Sequence, residues 1–338
     1  MGLQNIRAPQ GERSKWGKGV DRGRDWRERS RPMRTSILFH APIAALAFVV
    51  AASSVVAQSR PADSTTRARE CPSCAEWNTP HAPFRVFGNT YYVGTNGLGA
   101  ILITSTSGHV LIDGALAESA PLIIANIRAL GFRIEDVKLI LNSHAHYDHA
   151  GGIAELQRTS GGEVAATAWS ASVLEHGTSG NDDPQFGLLI PYPGVRSVRH
   201  IAEGQTMHVG TLSVTPHVTA GHTPGGTTWT WRSCEGDACA DIVYADSQTP
   251  VSADGFLFSK SASYATAVAD FEHGFKVLES LRCDILLTPH PSASRLWERL
   301  NMRDKGDARA LFSGSGCKDY AADARRRLAE RLAHERAR

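Results

Sequence analysis

The sequence predicts an α/β protein built as a layered sandwich. Short β-type runs separated by Gly and Asn occupy residues 84–113, and a second group of such runs occupies residues 205–244. Helical patterns flank both groups, as expected when helices cover the apolar faces of sheets. Apolar residues make up 42% and charged residues 21% of the 338 residues, so the chain can bury a sizeable core.

Each element follows from the period of its apolar residues, which is about two in a half-buried strand and about 3.6 in an amphipathic helix. The first helix ends before Gly131, because glycine is favoured just after a helix. The predicted strands are 84–87, 90–95, 100–105, 109–113, 137–142, 163–168, 205–209, 212–218, 227–232, 242–244 and 285–288. The predicted helices are 121–130, 152–158, 265–281 and a basic one at 321–336.

The N-terminal part predicts a secretory signal peptide. Arg34 precedes an apolar stretch at 37–56, and small residues lead to a plausible cleavage after Ala57. The alternative is a membrane anchor, since the stretch approaches the ~20 apolar residues that span a bilayer. Ala and Ser in its second half favour cleavage. We therefore expect a periplasmic or secreted protein with no stable membrane partner.

The predicted domain organisation has three parts. Residues 1–57 are an N-terminal extension and signal peptide, 58–82 are a Pro/Ser/Arg-rich linker or lead-in, and 83–338 are a single domain. Met33 is an alternative start to Met1, because residues 1–32 lack apolar periodicity. The formal net charge is only +2, and much of the basic excess lies near the N-terminus, so we expect no nucleic-acid partner.

Residues 143–152 hold the densest group of potential metal ligands. His144, His146, Asp148 and His149 lie where a predicted strand ends and a helix begins. His144 and His146 project from one side of an extended segment. A catalytic zinc commonly takes three protein ligands, so two adjacent metal ions explain the spacing better than one. The alternative is a run of surface histidines.

Two later histidines argue against that alternative. His222 lies in Gly-His-Thr-Pro-Gly and His290 in Thr-Pro-His-Pro, and each follows an apolar β-type run. Both would therefore lie on loops at strand ends, where binding residues concentrate.

The motif His-Ala-His-Tyr-Asp-His is similar to the HxHxDH signature of the metallo-β-lactamase superfamily, and the two later motifs follow in the family's order. The likeness extends from Trp77 to the C-terminus. Ser247 stands where subclass B1 enzymes have a thiolate ligand, which resembles subclass B3, as do the runs at 183–186, 225–232 and 288–294. The AIM and SMB types are especially similar. The resemblance implies a four-layer αβ/βα sandwich, the metallo-β-lactamase fold.

The resemblance also implies a function, zinc-dependent hydrolysis of the amide bond of penicillins, cephalosporins or carbapenems. Two Zn²⁺ ions per chain would activate the water, and the enzyme would be a monomer acting on a small-molecule β-lactam. The implied ligands are His144, His146 and His222 for one ion, and Asp148, His149 and His290 for the other.

Catalytic and substrate-binding roles are implied in the same way. Asp148 would also orient the nucleophile. Ser247 and Thr249 would contact the substrate carboxylate, with Gln185 a weaker candidate on the rim; turn hydrogen bonding is an equal alternative for the two hydroxyls. In thioesterase-like relatives a carboxylate at the position of Asp246 bridges the metals. A lactonase or thioesterase is therefore the alternative enzyme, and a non-catalytic metal-binding protein the third candidate.

Disulfides are the favoured state of the six cysteines, because the signal peptide places them in an oxidising compartment. No second CxxC completes a zinc site with Cys71 and Cys74. The resemblance implies the bridges Cys283–Cys317 and Cys234–Cys239. Cys71 and Cys74 pair with each other or remain free, because Asn96 stands where AIM-like enzymes carry the partner cysteine.

Overall fold

Two mixed β-sheets form the centre of the molecule. The structure is a computed structural model that describes residues 71–337. These residues all fall within one compact unit, Asp63–Arg338. The predicted signal peptide lies outside the described residues. Within residues 71–337, no helix is both long and apolar enough to cross a bilayer.

The first sheet has seven strands arranged in chain order. The strands are β1 (Phe84–Phe87), β2 (Thr90–Tyr92), β3 (Ile101–Ile103), β4 (His109–Ile112), β5 (Val137–Leu141), β6 (Glu163–Thr167) and β7 (Val198–Ile201). Strands β1 to β4 pair antiparallel, whereas β4 to β7 pair parallel. The parallel half places the carboxyl ends of β4 and β5 side by side.

The second sheet has five strands in the order β12-β11-β10-β9-β8. They are β8 (Met207–Val209), β9 (Leu212–Val218), β10 (Thr227–Glu235), β11 (Ala238–Tyr244) and β12 (Ile285–Leu287). Since β9 and β11 are each antiparallel to β10, and β12 is parallel to β11, strands β9, β11 and β12 run in one direction. Their carboxyl ends share one edge.

Helices lie on the outer face of each sheet. The helices are α1 (Cys74–Trp77), α2 (Ala120–Ala129), α3 (Tyr147–Ala150), α4 (Ile153–Ser160), α5 (Ala168–His176), α6 (Ala267–Ser280), α7 (Leu296–Asp304) and α8 (Gly316–Arg336). Helices α2, α4 and α5 pack on the first sheet, and α6 and α8 pack on the second.

Three apolar clusters separate the four layers. Successive residues of a strand point to opposite faces, so Leu111 packs beneath the helices of the first sheet while Ile112 enters the space between the sheets. Trp229 and Tyr244 reach the same central cluster from the second sheet, where both are fully buried. Phe271 of α6 belongs to the third cluster. The predicted four-layer α/β sandwich is confirmed.

Several elements were not predicted. Strand β7 was missed because it has no alternating apolar pattern: Val198 and Ile201 are buried, whereas Arg199 and His200 between them face solvent. Helices α5 and α7 and the short α1 and α3 were also missed, and α8 begins at Gly316 instead of 321. Helix α3 was missed because its single turn, Tyr147–Ala150, lies within the ligand cluster and is too short to show apolar periodicity.

The described part of the predicted lead-in is packed against the domain. Thr95 Oγ1 donates to the carbonyl of Trp77 at 2.6 Å, and Ser119 Oγ lies 2.6 Å from Asn78 Oδ1. Residues 71–82 therefore belong to the folded unit and are not a free linker. The structure pairs the cysteines as Cys71–Cys74, Cys234–Cys239 and Cys283–Cys317.

Candidate metal centre

The six predicted ligands meet at one end of the two sheets. Their positions follow from strand direction, because the loops after β5, β9 and β12 leave the sheets at the same edge. His144 and His146 follow β5, Asp148 and His149 lie in the single turn of α3, His222 lies between β9 and β10, and His290 follows β12.

One group consists of His144, His146 and His222. All three are buried, and their potential ligand atoms lie within 4.8 Å of one another. The ring centroids are 4.7 Å apart for His144 and His146, 4.8 Å for His144 and His222, and 5.0 Å for His146 and His222. This spacing lets three imidazole nitrogens face one point.

The second group consists of Asp148, His149 and His290. Asp148 Oδ2 lies 3.2 Å from His149 Nε2 and 3.3 Å from His290 Nε2. His144 also lies within 4.8 Å of Asp148 and His149, measured between ligand atoms, so the two groups adjoin. The structure thus brings together every ligand predicted from the sequence.

Oxygen atoms orient four of the five histidine rings. Each partner occupies one ring nitrogen and leaves the other directed at the cluster, which is how second contacts commonly orient metal-binding imidazoles. The contacts are His144 Nδ1 to Asp246 Oδ1 at 2.7 Å, His146 Nε2 to Asp183 Oδ2 at 3.0 Å, His222 Nδ1 to the Thr249 carbonyl at 2.8 Å, and His290 Nδ1 to the Gly97 carbonyl at 3.3 Å.

Buried ring nitrogens without a protein partner indicate metal binding. Nε2 of His144 is enclosed and makes no hydrogen bond, and Nε2 of His149 is enclosed and lies only near Asp148, itself a predicted ligand. Leaving such atoms unsatisfied is costly, and native proteins rarely do so. Nitrogen and carboxylate oxygen are suitable ligands for zinc and other transition metals. The residues present therefore fit metal ions.

The protonation states of His144, His222 and Asp148 also suit metal binding. Burial and the neighbouring histidines lower the pKa of His144 well below its usual value, and burial lowers the pKa of His222 to about 3. Burial alone would raise the pKa of Asp148, but His149 and His290 outweigh it and hold that pKa well below normal. Neutral imidazoles and an ionised carboxylate are the forms that bind metal.

Asp113 follows β4 and accepts hydrogen bonds from Asn142 and Ser143, the two residues before His144; residues 142–149 are called the histidine loop. Its Oδ1 accepts hydrogen bonds from the Ser143 backbone N–H at 2.7 Å and from Asn142 Nδ2 at 3.0 Å. Its Oδ2 accepts from Ser143 Oγ at 2.7 Å and from the Tyr244 hydroxyl at 2.8 Å. Asp113 has a left-handed φ of 64°, an uncommon value that these contacts stabilise. His144 is thereby fixed to both sheets.

The three predicted substrate-binding residues lie beside the first group. Gln185 Nε2 is 3.4 Å from His222 Nε2, and Thr249 Oγ1 is 3.2 Å from His222 Nδ1. Ser247 is buried next to Asp246. The hydrogen bond between His222 Nδ1 and the backbone carbonyl of Thr249, at 2.8 Å, was not predicted from the sequence.

Two further contributors were missed. Asp183 lies in a run that carried the family likeness, yet only the fold brings it to His146, 37 residues away. Burial would raise the pKa of Asp183, but His146 holds it below its usual value, so the carboxylate is ionised.

The N-terminal segment lies beside the second group. Trp77 lies with its ring centroid 5.2 Å from that of His290, and Tyr147 donates to Cys71 Sγ at 3.5 Å. The N-terminal segment thus borders the second group.

The chain is similar in sequence and structure to known metallo-β-lactamases. The family model of the metallo-β-lactamase superfamily matches residues 100–314. The structure of the Rm3 metallo-β-lactamase is 54% identical, with 79% of this chain and 99% of that chain covered and a TM-score of 0.78. MEM-A1, a subclass B3 metallo-β-lactamase from a soil metagenome library, is 48% identical, with 77% and 99% covered and a TM-score of 0.76.

A curated relative is more distant. A probable metallo-hydrolase of Burkholderia pseudomallei is 32% identical over 38% of this chain and 46% of its own length. The chain spans about half the length of the curated relatives that it matches.

Asp183→Asn is expected to weaken metal binding about tenfold or more, because the neutral amide no longer supports the ring of His146 with a negative charge. Titration of the apoprotein with zinc against a chromophoric chelator measures the change. Asp182→Asn is the matched control, since the Asp182 carboxylate accepts a hydrogen bond from Trp169 Nε1 instead of from a ligand ring. Equal losses in both variants would contradict a specific role of Asp183.

Proposed function

The chain belongs to the metallo-β-lactamase superfamily, and on that premise we propose that it is a subclass B3 β-lactamase that hydrolyses the β-lactam amide bond. The observation that carries the proposal is the convergence of six histidine and aspartate side chains in two adjoining groups. Ser247, in place of a thiolate, leaves a ligand set made entirely of nitrogen and carboxylate oxygen.

Membership of the family implies metal ions, and we propose two Zn²⁺ per chain. His144, His146 and His222 would hold one ion, and Asp148, His149 and His290 the other. When bound, the ions would lower the pKa of a water molecule to about 7 and polarise the β-lactam carbonyl. Three protein ligands per ion leave the open positions that a catalytic site needs.

The chain's own groups would then orient the reaction. Asp148 is ionised, so it can accept a hydrogen bond from the attacking water and aim it at the carbonyl carbon. Asp246 and Asp183 hold the rings of His144 and His146 in fixed orientations. Positioning of this kind accounts for a large share of enzymatic rate enhancement.

Two loops would bind the substrate. We define the first lip as residues 183–188 and the second lip as residues 249–259. In the second lip the Thr249 hydroxyl, together with that of nearby Ser247, would donate to the substrate carboxylate, and the Gln185 amide would contact the substrate from the first lip. Exposed apolar side chains on both lips would cover apolar parts of the substrate, namely Phe186, Leu188 and Val251.

The lactonase or thioesterase alternative has less support. It requires Asp246 to bridge the metal ions. Asp246 Oδ1 lies 2.7 Å from Nδ1 of His144, which is the opposite side of the ring from the unpartnered Nε2. That position suits a carboxylate that orients a ligand.

The purified protein is expected to hydrolyse nitrocefin and to contain two zinc ions per chain. Removal of metal with a chelator should abolish turnover, and added zinc should restore it, because the bound ions would supply the activated water. Absorbance assays and metal analysis measure both. Full zinc loading without nitrocefin turnover would instead favour the lactonase or thioesterase, and the absence of zinc at saturation would contradict the site itself.

Asp148→Ala is expected to lower kcat by about a hundredfold or more, because the variant loses a metal bond and the group that orients the water. Asp246→Ala is expected to cost less, about 10–100-fold in zinc affinity or activity, since it removes only the support of His144. Steady-state kinetics and zinc content measure both effects. Asp241→Ala is the control, because Asp241 pairs with Arg232 and Arg282 away from the site. Equal collapse of both site variants would mean that Asp246 binds metal.

We further propose that the protein is exported, that its mature form begins near Gln58, and that it acts as a monomer in the periplasm or outside the cell. The paired cysteines support this, since disulfides persist in oxidising compartments. Native mass spectrometry of the exported protein should give a monomer of residues 58–338, and peptide mapping without reduction should give the three bridges. Retention of Met1 or Met33, or free thiols at Cys283 and Cys317, would contradict the proposal.

A further inference from the structure

The last turns of α8 contact the second lip through Arg331 and Glu335. These residues are one helical turn apart, and Arg331 Nε donates to Glu335 Oε1 at 2.7 Å. The Glu335 side chain is only 2% exposed. A buried carboxylate at the C-terminal end of a helix is disfavoured both by desolvation and by the helix dipole. Its placement therefore needs strong partners.

The second lip supplies those partners. Glu335 accepts hydrogen bonds from the backbone N–H groups of Phe258 at 3.0 Å and Ser259 at 2.9 Å. Arg331 Nη2 donates to Ser252 Oγ at 2.7 Å and to the Phe256 carbonyl at 2.8 Å, and Nη1 to the Pro250 carbonyl at 3.3 Å.

These contacts replace regular secondary structure. The chain between β11 and α6 forms neither a strand nor a helix, and long irregular segments in compact domains are commonly functional. Without strand pairing, the conformation of the second lip depends on side chains that reach it from elsewhere. Arg331 and Glu335 contact five of its eleven residues, and the guanidinium of Arg331 also lies 5.1 Å from the ring centroid of Phe258.

The second lip transmits this restraint to the site. Its first residue is Thr249, whose carbonyl accepts the hydrogen bond from His222 Nδ1, and the next residue is Pro250, which Arg331 contacts. Ala253 N–H donates to the Pro184 carbonyl at 2.9 Å, which joins the second lip to the first. Pro184 lies between Asp183, the partner of His146, and Gln185.

We propose that Arg331 and Glu335 are positioning residues for substrate binding and for the His222 ligand. They hold the second lip so that Thr249 faces both His222 and the substrate, and so that Ala253 keeps its hydrogen bond to Pro184 of the first lip. The part concerning substrate rests on the proposed β-lactamase function. The part concerning His222 and the lip does not.

The test is Arg331→Met, which keeps most of the apolar stem and removes every donor. We expect KM for nitrocefin to rise about five- to thirtyfold, the effect of losing one or two net hydrogen bonds, with kcat within about threefold. Amide exchange should accelerate at residues 250–259 and stay unchanged in β11 and α6. Zinc affinity, measured by chelator competition, should fall by about tenfold. Arg331→Lys, which keeps the charge but cannot reach all the acceptors, should be intermediate.

Arg326→Met is the matched control, because Arg326 lies on the exposed side of α8 and pairs only within that helix, with Asp323 and Glu330. It should change none of these quantities. Unchanged exchange and KM in Arg331→Met would overturn the proposal, as would faster exchange throughout the domain with a matching loss of kcat. If Arg331→Met does not fold, Arg331→Lys and Glu335→Gln give the same comparison. A wild-type protein that does not hydrolyse nitrocefin would count against the proposed function alone, since exchange and zinc affinity still test the positioning.

Discussion

The site depends on the buried carboxylate of Asp113. A buried carboxylate is tolerated only when hydrogen bonds replace its hydration. Asp113 receives donors from the histidine loop of the first sheet and from Tyr244 of the second. The hydrogen bonds of one side chain therefore connect the two sheets at the start of the ligand cluster. The sheets also meet through apolar packing, which is not directional, and through hydrogen bonds such as those from Trp229 Nε1 to the Asn142 carbonyl at 3.0 Å and from Trp231 Nε1 to Thr90 Oγ1 at 2.8 Å. Together with Asp113, these directional contacts align the sheets at the edge where the ligands converge.

Around that point, the ligand rings take their orientations from widely separated parts of the chain. Asp246 follows β11, Asp183 follows α5, Thr249 begins an irregular loop, and Gly97 lies between β2 and β3. Each oxygen fixes one ring nitrogen, so the other nitrogen is already directed inward. A site organised in this way loses little conformational entropy on binding a metal. Asp183 and Thr249 belong to the two lips proposed to bind substrate, so metal binding and substrate binding would share these restraints.

Local pattern predicted a large part of this arrangement. The strands 84–87 and 212–218 have the predicted bounds, because alternation of apolar residues reports directly on burial. The six ligands could be found because they stand at strand ends in a dense or Gly/Pro-marked setting. Asp183, Asp113 and Arg331 could not be found in this way. Their roles arise from contacts with residues 29 to 131 positions away, which no local period encodes. Strand β7 was missed because its inner residues are polar and exposed.

The contact between Trp77 and His290 spans almost the whole described chain, and α8, which ends at Arg336, follows it. The centre is therefore assembled from the first and last segments of the domain as well as from its middle. Contacts of such high sequence separation form slowly, since the loop-closure entropy must be overcome first. A nascent chain that exposes only the His-Ala-His-Tyr-Asp-His motif holds four ligands in an unfixed loop. Because the second group includes His290, the predicted ligand set is complete only after strand β12 has been synthesised.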